Sequence, residues 1–172
     1  GSLRRYFRDL RDVKRFLATL EFHMNLLRIN GTLDVNAVDL IAVEALRNFE
    51  SDLYRQIRDS KALLTASRSP DSGDKKRVAE DIKALVSGMP AERTDAASLL
   101  IKTLFPTAAF AFGGALHSEF LSEWDRDLRL CAPSFFDRYC QLGLSSGEVS
   151  QHEVELLLAA SADSDSFARE LE

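Results

Sequence analysis

From Leu3 onward the apolar positions of this chain recur at steps of three and four rather than two. Tyr6, Leu10, Val13, Leu17, Leu20, Met24 and Leu27 fall on one face of a helix predicted over residues 3–29. Asn30-Gly31 follows as a helix stop signal. After the short turn Thr32-Leu33-Asp34, in which Asp34 is the expected cap, Val38, Ile41, Ala42, Ala45, Leu46 and Phe49 repeat at the same spacing. Leu53, Tyr54, Ile57, Leu63 and Leu64 predict a further helical stretch over 51–64. The polar, turn-rich run 66–74 then reads as a mobile loop.

Beyond the loop, Lys75 to Val86 predicts one helix, closed by Ser87-Gly88-Met89-Pro90. Another runs from Ala91 to just before Pro106, with Ala97, Leu100, Ile101 and Leu104 inward. The stretch from Phe105 to Phe120 predicts irregular packing that brings Phe110 and Phe112 into the core. Short helices are expected over 124–130 and 134–142, separated by Pro133. Ser150-Gln151-His152-Glu153 is a capping box opening a last helix over 153–160. Strand signals are scarce. The expected fold is all-α, an irregular multi-helix bundle of about seven to nine helices. The loop at 67–76 is expected to divide it into an N-terminal helical hairpin, 1–66, and a C-terminal helical part, 77–172.

A second rhythm runs through the first helix. Arg4, Arg8, Arg11 and Arg15 repeat at helical spacing on the side opposite the apolar stripe. Arginines in register repel one another, so such a face awaits an anion, an acidic partner, or only water. The chain of 172 residues has a formal net charge of -5, which argues against a whole-surface nucleic-acid binder but permits a local basic patch. Cys131 and Cys140 make neither a disulfide framework nor a metal-ligand spacing, and read as thiols in a reducing compartment. No signal peptide or membrane span is visible, and a cytoplasmic location is expected. Gly1-Ser2 reads as a cloning scar, and the Asp163-Ser164-Asp165-Ser166 cap starts a helix that stops at Glu172. The expectation is a piece of a longer protein.

The search for chemistry returns little. A phosphate-binding loop needs Gly-Lys followed by Ser or Thr, and no Gly-Lys pair occurs; Gly73-Asp74-Lys75-Lys76 lacks the partner glycine. Leu40-Ile41-Ala42-Val43-Glu44 superficially resembles the apolar run before a magnesium-binding acid, but it sits in strong helical periodicity and reads as core. His23, His117 and His152 are scattered on three elements, so no metal site is expected, and Ser118 and Glu119 beside His117 do not make a triad. Phe110, Phe112, Phe120, Trp124, Phe135, Phe136 and Tyr139 read as core rather than a base-stacking platform.

The run Arg8-Asp9-Leu10-Arg11-Asp12-Val13-Lys14-Arg15-Phe16-Leu17 resembles the segment that follows the nucleotide-binding core in KAP-family P-loop NTPases. Their pattern there is close to Arg-Asp-(Ile/Val)-Lys-Arg-Phe-(Leu/Ile)-Asn. Val38 to Arg47 resembles the family's Val-Asp-Leu-Ile-x-Leu-Glu-x-Leu-Arg helix, and Phe49 to Leu64 its acidic, tyrosine-bearing continuation. Phe105-Pro106, the run from Arg129 to Tyr139, and Leu142-Gly143-Leu144 are similar to the later stretch of bacterial members. The family's asparagine after Phe16-Leu17 is replaced here by Ala18-Thr19.

The resemblance implies the helical C-terminal portion of a KAP-type ATPase, with the missing NTPase core as its partner and with ATP and magnesium belonging to that core. By analogy with ATPases whose helical lid senses the γ-phosphate, Arg11, Lys14 and Arg15 are the nucleotide-sensor candidates, with Arg4 and Arg8 as a basic interaction face. The family is associated with membranes and, in bacteria, with defence against phage or mobile elements; this segment would not itself contact the membrane. The competing expectation is a non-enzymatic interaction or oligomerisation module whose stripe docks an acidic neighbour or a second copy. Local nucleic-acid binding ranks last at a net charge of -5.

Overall fold

A computed structural model describes residues 2–65, 73–114 and 121–141, together with 154, 158 and 159. Asp9 decides where the first α-helix begins. Its extended backbone (φ -146°) and its side chain, which accepts the Asp12 N–H at 2.9 Å, make it the cap, so α1 covers Leu10–Leu26. The helix expected from Leu3 is therefore shorter. Ser2–Tyr6 forms a separate 3₁₀ helix, and Arg4, Tyr6 and Arg8 all precede α1. A short carboxylate that bonds its own backbone interrupts a helix that periodicity alone carries through.

The buried face of α1 is also turned from the expected one. Phe16, His23 and, just beyond the helix, Leu27 are buried, whereas Leu10 and Leu17 are 66% and 54% exposed. The apolar arc of α1 is wider than the strip its neighbour covers, and the side chains offered by that neighbour choose which part is used.

Asn30-Gly31 does not stop the helix. It turns a small antiparallel hairpin between β1 (Arg28–Ile29) and β2 (Thr32–Leu33), with Arg28 opposite Leu33. Both turn residues have positive φ, 49° and 85°, the geometry that suits an Asn-Gly pair joining twisted strands. The next helix, α2 (Ala37–Phe49), is capped by Asn36, whose side-chain oxygen accepts the N–H groups of Val38 and Asp39 at 3.0 and 3.2 Å. Asp34, the expected cap, is instead buried against Arg138, 2.5 Å away. Val38, expected inward, lies outward, and Leu40, Val43 and Leu46 fill the buried side of α2.

The stretch expected as one helix over 51–64 breaks at Ser60 into α3 (Ser51–Asp59) and α4 (Lys61–Leu64). Next come α5 (Lys75–Ala84) and α6 (Ala91–Leu104), in which Ala97, Leu100, Ile101 and Leu104 are buried as expected. A 3₁₀ helix, Pro106–Phe112, then ends at Gly113 in the left-handed region. Its three-residue period puts Ala108 and Ala111 on the side of the preceding Phe105, and these three are buried. Phe110 and Phe112, expected in the core, are only half-buried. Two short helices, α7 (Leu121–Arg126) and α8 (Phe136–Gln141), complete the described elements.

The fold is an all-α, multi-helix one in which the hairpin β1–β2 is the only sheet among the described residues. One apolar cluster joins Leu40, Leu46 and Leu53 to Ile82, Leu100, Leu104, Phe136 and Tyr139, so residues from both sides of the 66–74 run share a core. The last two residues of the loop expected over 67–76, Lys75 and Lys76, already belong to α5. No helix among the described residues is long and apolar enough to cross a membrane. The 66–72 part of the loop, His117, Phe120, Leu142-Gly143-Leu144, the capping box at 150–153 and its helix (Val154, Leu158 and Ala159 apart), and the cap at 163–166 lie outside the described residues.

Candidate functional site: the basic helix and the cleft beside it

Four aromatic rings lock the N-terminal 3₁₀ helix onto α1 and α2. Tyr6 stacks on Phe49 with centroids 5.5 Å apart, Phe7 meets the edges of Phe16 and Phe49 at 5.3 and 5.6 Å, and Phe16 lies 6.3 Å from Phe49. Such pairs add roughly 0.5–1.5 kcal/mol each beyond burial, so Phe49 is the hub that orders the segment carrying Arg4, Arg5 and Arg8. The Arg15 guanidinium sits over the same Phe49 ring, 5.4 Å from its centroid, and also meets Asp12 at 3.4 Å.

The arginines read as one stripe are thus divided among three settings. Arg11 and Lys14 lie on the outward side of α1, exposed, and their side chains make no ion pair or hydrogen bond among the described residues. They share that side with Leu10, Leu17, Phe22 and Leu26, all 48% or more exposed. Leu10, Lys14, Leu17 and Glu21 form one row of this surface, and Arg11, Arg15, Phe22 and Leu26 the next. Arg15 is steered back over Phe49. Arg8, in a long 3.9 Å pair with Asp12, turns toward a cleft that Arg4 does not line.

That cleft, about 850 Å³, separates the N-terminal 3₁₀ helix from the first turns of α6. Arg5 and Arg8 rim one side, and Glu92, Arg93 and Asp95 the other, with Tyr6 and Phe49 between. Arg93 also reaches the buried Glu50 carboxylate at 3.1 Å. Helical periodicity marks neither Arg5 nor Arg93. Arg5 lies off the three-and-four rhythm, and Arg93 is brought over by tertiary packing, so no local pattern marks it.

The acids and bases of the resembling segments do structural work. Asp39 of α2, buried, accepts Arg129 Nε at 2.7 Å and the Leu130 N–H at 2.8 Å; burial raises its carboxyl above the ordinary value, with Arg129 opposing. Glu44, fully buried, is held by Arg47 and by His23 Nδ1 at 2.7 Å. Arg47 Nη1 also lies 3.0 Å from the same His23 nitrogen. Arg47 also donates to the Tyr139 carbonyl oxygen at 2.8 Å and the Tyr54 hydroxyl at 3.0 Å. His23 is therefore a buried partner of Glu44, and the run Leu40 to Glu44 is core helix.

Burial pushes the Cys131 thiol up to about 12 and the Cys140 thiol up to about 11, so neither is a ready nucleophile at neutral pH. Among the described residues no group of three or more His, Cys, Asp or Glu side chains is placed to hold a metal ion. Trp124, Phe135, Phe136 and Tyr139 are core residues, as expected from their pattern. Comparison with protein-family models, with curated proteins and with solved structures returned no match.

Proposed function

We propose that this chain is the helical, non-hydrolysing module of a KAP-type P-loop ATPase, and that the outward side of α1 faces the nucleotide-binding core. The observation that carries this reading is the combination on α1 of Leu10, Leu17, Phe22 and Leu26, all exposed, with the cations Arg11 and Lys14, unpaired among the described residues. Apolar residues gain nothing from water and give a docking surface its affinity. Arginine and lysine beside them suit phosphate oxygens. In this reading Arg11, Lys14 and Arg15 stabilise charge on the transferring γ-phosphoryl group, while Arg15 on Phe49 relays the contact to α2. A role in bacterial anti-phage defence belongs to the same proposal and rests on the family resemblance.

The test is ATP turnover by a polypeptide that joins this module to its phosphate-binding loop. Arg11→Ala and Arg15→Ala should each lower turnover at least tenfold, about 1.4 kcal/mol of transition-state stabilisation. Turnover equal to that of the unmodified protein in both variants overturns the sensor assignment.

The exposed apolar residues of α1 also favour a second reading, a non-enzymatic interaction module that pairs with a second copy or an acidic neighbour. A dimer seen by sedimentation, weakened by salt and by Arg8→Glu, supports that reading over the first.

A further inference from the structure

Charge along the outward side of α1 is arranged so that it selects a partner. Leu10, Lys14, Leu17 and Glu21 recur at steps of four, three and four, and so form one row nearly parallel to the helix axis. All four are exposed, Leu10 and Leu17 at 66% and 54%. Among the described residues neither the Lys14 nor the Glu21 side chain makes an ion pair or a hydrogen bond. Half-buried Leu20 and Met24 flank the row on the side of the core and widen its apolar part.

The row is complementary to itself in one direction only. Side by side and parallel in register, two copies of α1 set Lys14 against Lys14 and Glu21 against Glu21, like charges that repel. Turned end for end about a two-fold axis between Leu17 and Ala18, each Lys14 faces the Glu21 of the other copy. Both residues then stand about 5 Å along the helix from the axis, and the symmetry forms the pair twice. Leu17 meets its own counterpart at the axis, and Leu10 comes level with Met24 and Asn25 of the other copy.

We propose that α1 pairs with α1 of a second copy of this chain, antiparallel, through Leu10, Lys14, Leu17 and Glu21. Such pairing rests on the second reading above, in which the outward side of α1 joins chains, and fixes the partner as a like chain running in one direction. A helix of 17 residues is about 26 Å long. The contact therefore belongs at the small end of specific interfaces, below about 1,200 Å² in total, and the dimer is weak and concentration-dependent. The leucines supply affinity by leaving water, while the two exposed ion pairs add little to it and choose the direction.

Sedimentation equilibrium of the chain over a range of concentrations tests the pairing. The unmodified chain should pass from monomer to dimer. Lys14→Glu and Glu21→Lys, both at exposed positions, should each weaken the dimer at least fivefold and leave the melting temperature of the dilute monomer little changed. Mixed in equal amounts, the two variants should dimerise at least as tightly as the unmodified chain, because every facing pair in the mixed dimer is again of opposite charge. Leu17→Glu should abolish the dimer. A monomer at millimolar concentration, or a dimer untouched by Leu17→Glu, overturns the pairing together with the second-copy form of the second reading. Loss of the dimer in Leu17→Glu with no recovery in the mixture of charge variants overturns the antiparallel arrangement alone and leaves α1 as the joining surface.

Discussion

The Tyr139 hydroxyl of α8 closes the start of α2 by accepting the Asn36 N–H at 2.8 Å and donating to the Leu128 carbonyl oxygen at 2.6 Å. Residues 103 apart in sequence thereby share one hydrogen-bond node, and burial drives the phenol well above its ordinary range. Tyr139→Phe removes the node but keeps the ring. It should cost about 1–3 kcal/mol, the penalty for stranding buried polar groups. Urea unfolding followed by circular dichroism measures this; a cost below about 0.5 kcal/mol would mean that the weaker Asn36–Leu128 bond at 3.2 Å suffices.

Asp39 and Arg129 present a different balance. Because burial raises the Asp39 carboxyl, the pair does not fully offset the loss of water, yet removing one member leaves the other stranded. Asp39→Ala should destabilise by about 3–5 kcal/mol. The double variant with Arg129→Ala should cost clearly less than the sum of the singles. Strict additivity in that cycle would refute the coupling.

The start of α2 distinguishes Asn36 from Asp34. Asn36→Asp keeps the capping oxygen but loses the Nδ2 donor to the Asp127 carbonyl oxygen at 3.1 Å, whereas Asn36→Ala loses the cap as well and should cost about 0.5–2 kcal/mol. Asp34→Ala should cost more, about 3–5 kcal/mol, because it removes a buried carboxylate from the Arg138 guanidinium. Thermal unfolding of the three variants ranks them, and a larger loss from Asn36→Ala than from Asp34→Ala would contradict these assignments.

Glu50 carries a pH signature. Burial raises its carboxyl above the ordinary 4.5, with Arg93 opposing. The folded chain then holds this proton more tightly than the unfolded chain. Its contribution to stability is therefore full below 4.5 and declines as pH rises through the raised folded value. Glu50→Gln should flatten the fall of the unfolding midpoint as pH rises above 4.5, seen in melts at several pH values. An unchanged or steeper profile would place the titration elsewhere.

Much of the architecture was legible in the pattern of apolar residues. The stretch 91–104 reads as a helix from Ala97, Leu100, Ile101 and Leu104 alone, and those four are buried. The basic run was legible as composition, but its division into an outward pair, an aromatic-stacked Arg15 and a cleft-lining Arg8 was not. That division follows from Asp9, which caps α1 late, and from Phe49, which arrives from the next helix.

The sequence by itself determined that this chain is helical, where most of its helices lie, and that its cations concentrate near one end. Period, caps and turn residues act within a few positions, so they can be read locally. Only the tertiary structure decided which part of α1 is buried, that Asp34 answers to Arg138 rather than to α2, and that Arg93 joins Arg5 and Arg8 at one cleft. Each of these depends on residues tens of positions apart meeting through a shared core, and no local pattern encodes which of several exposed-or-buried choices the partner element will make.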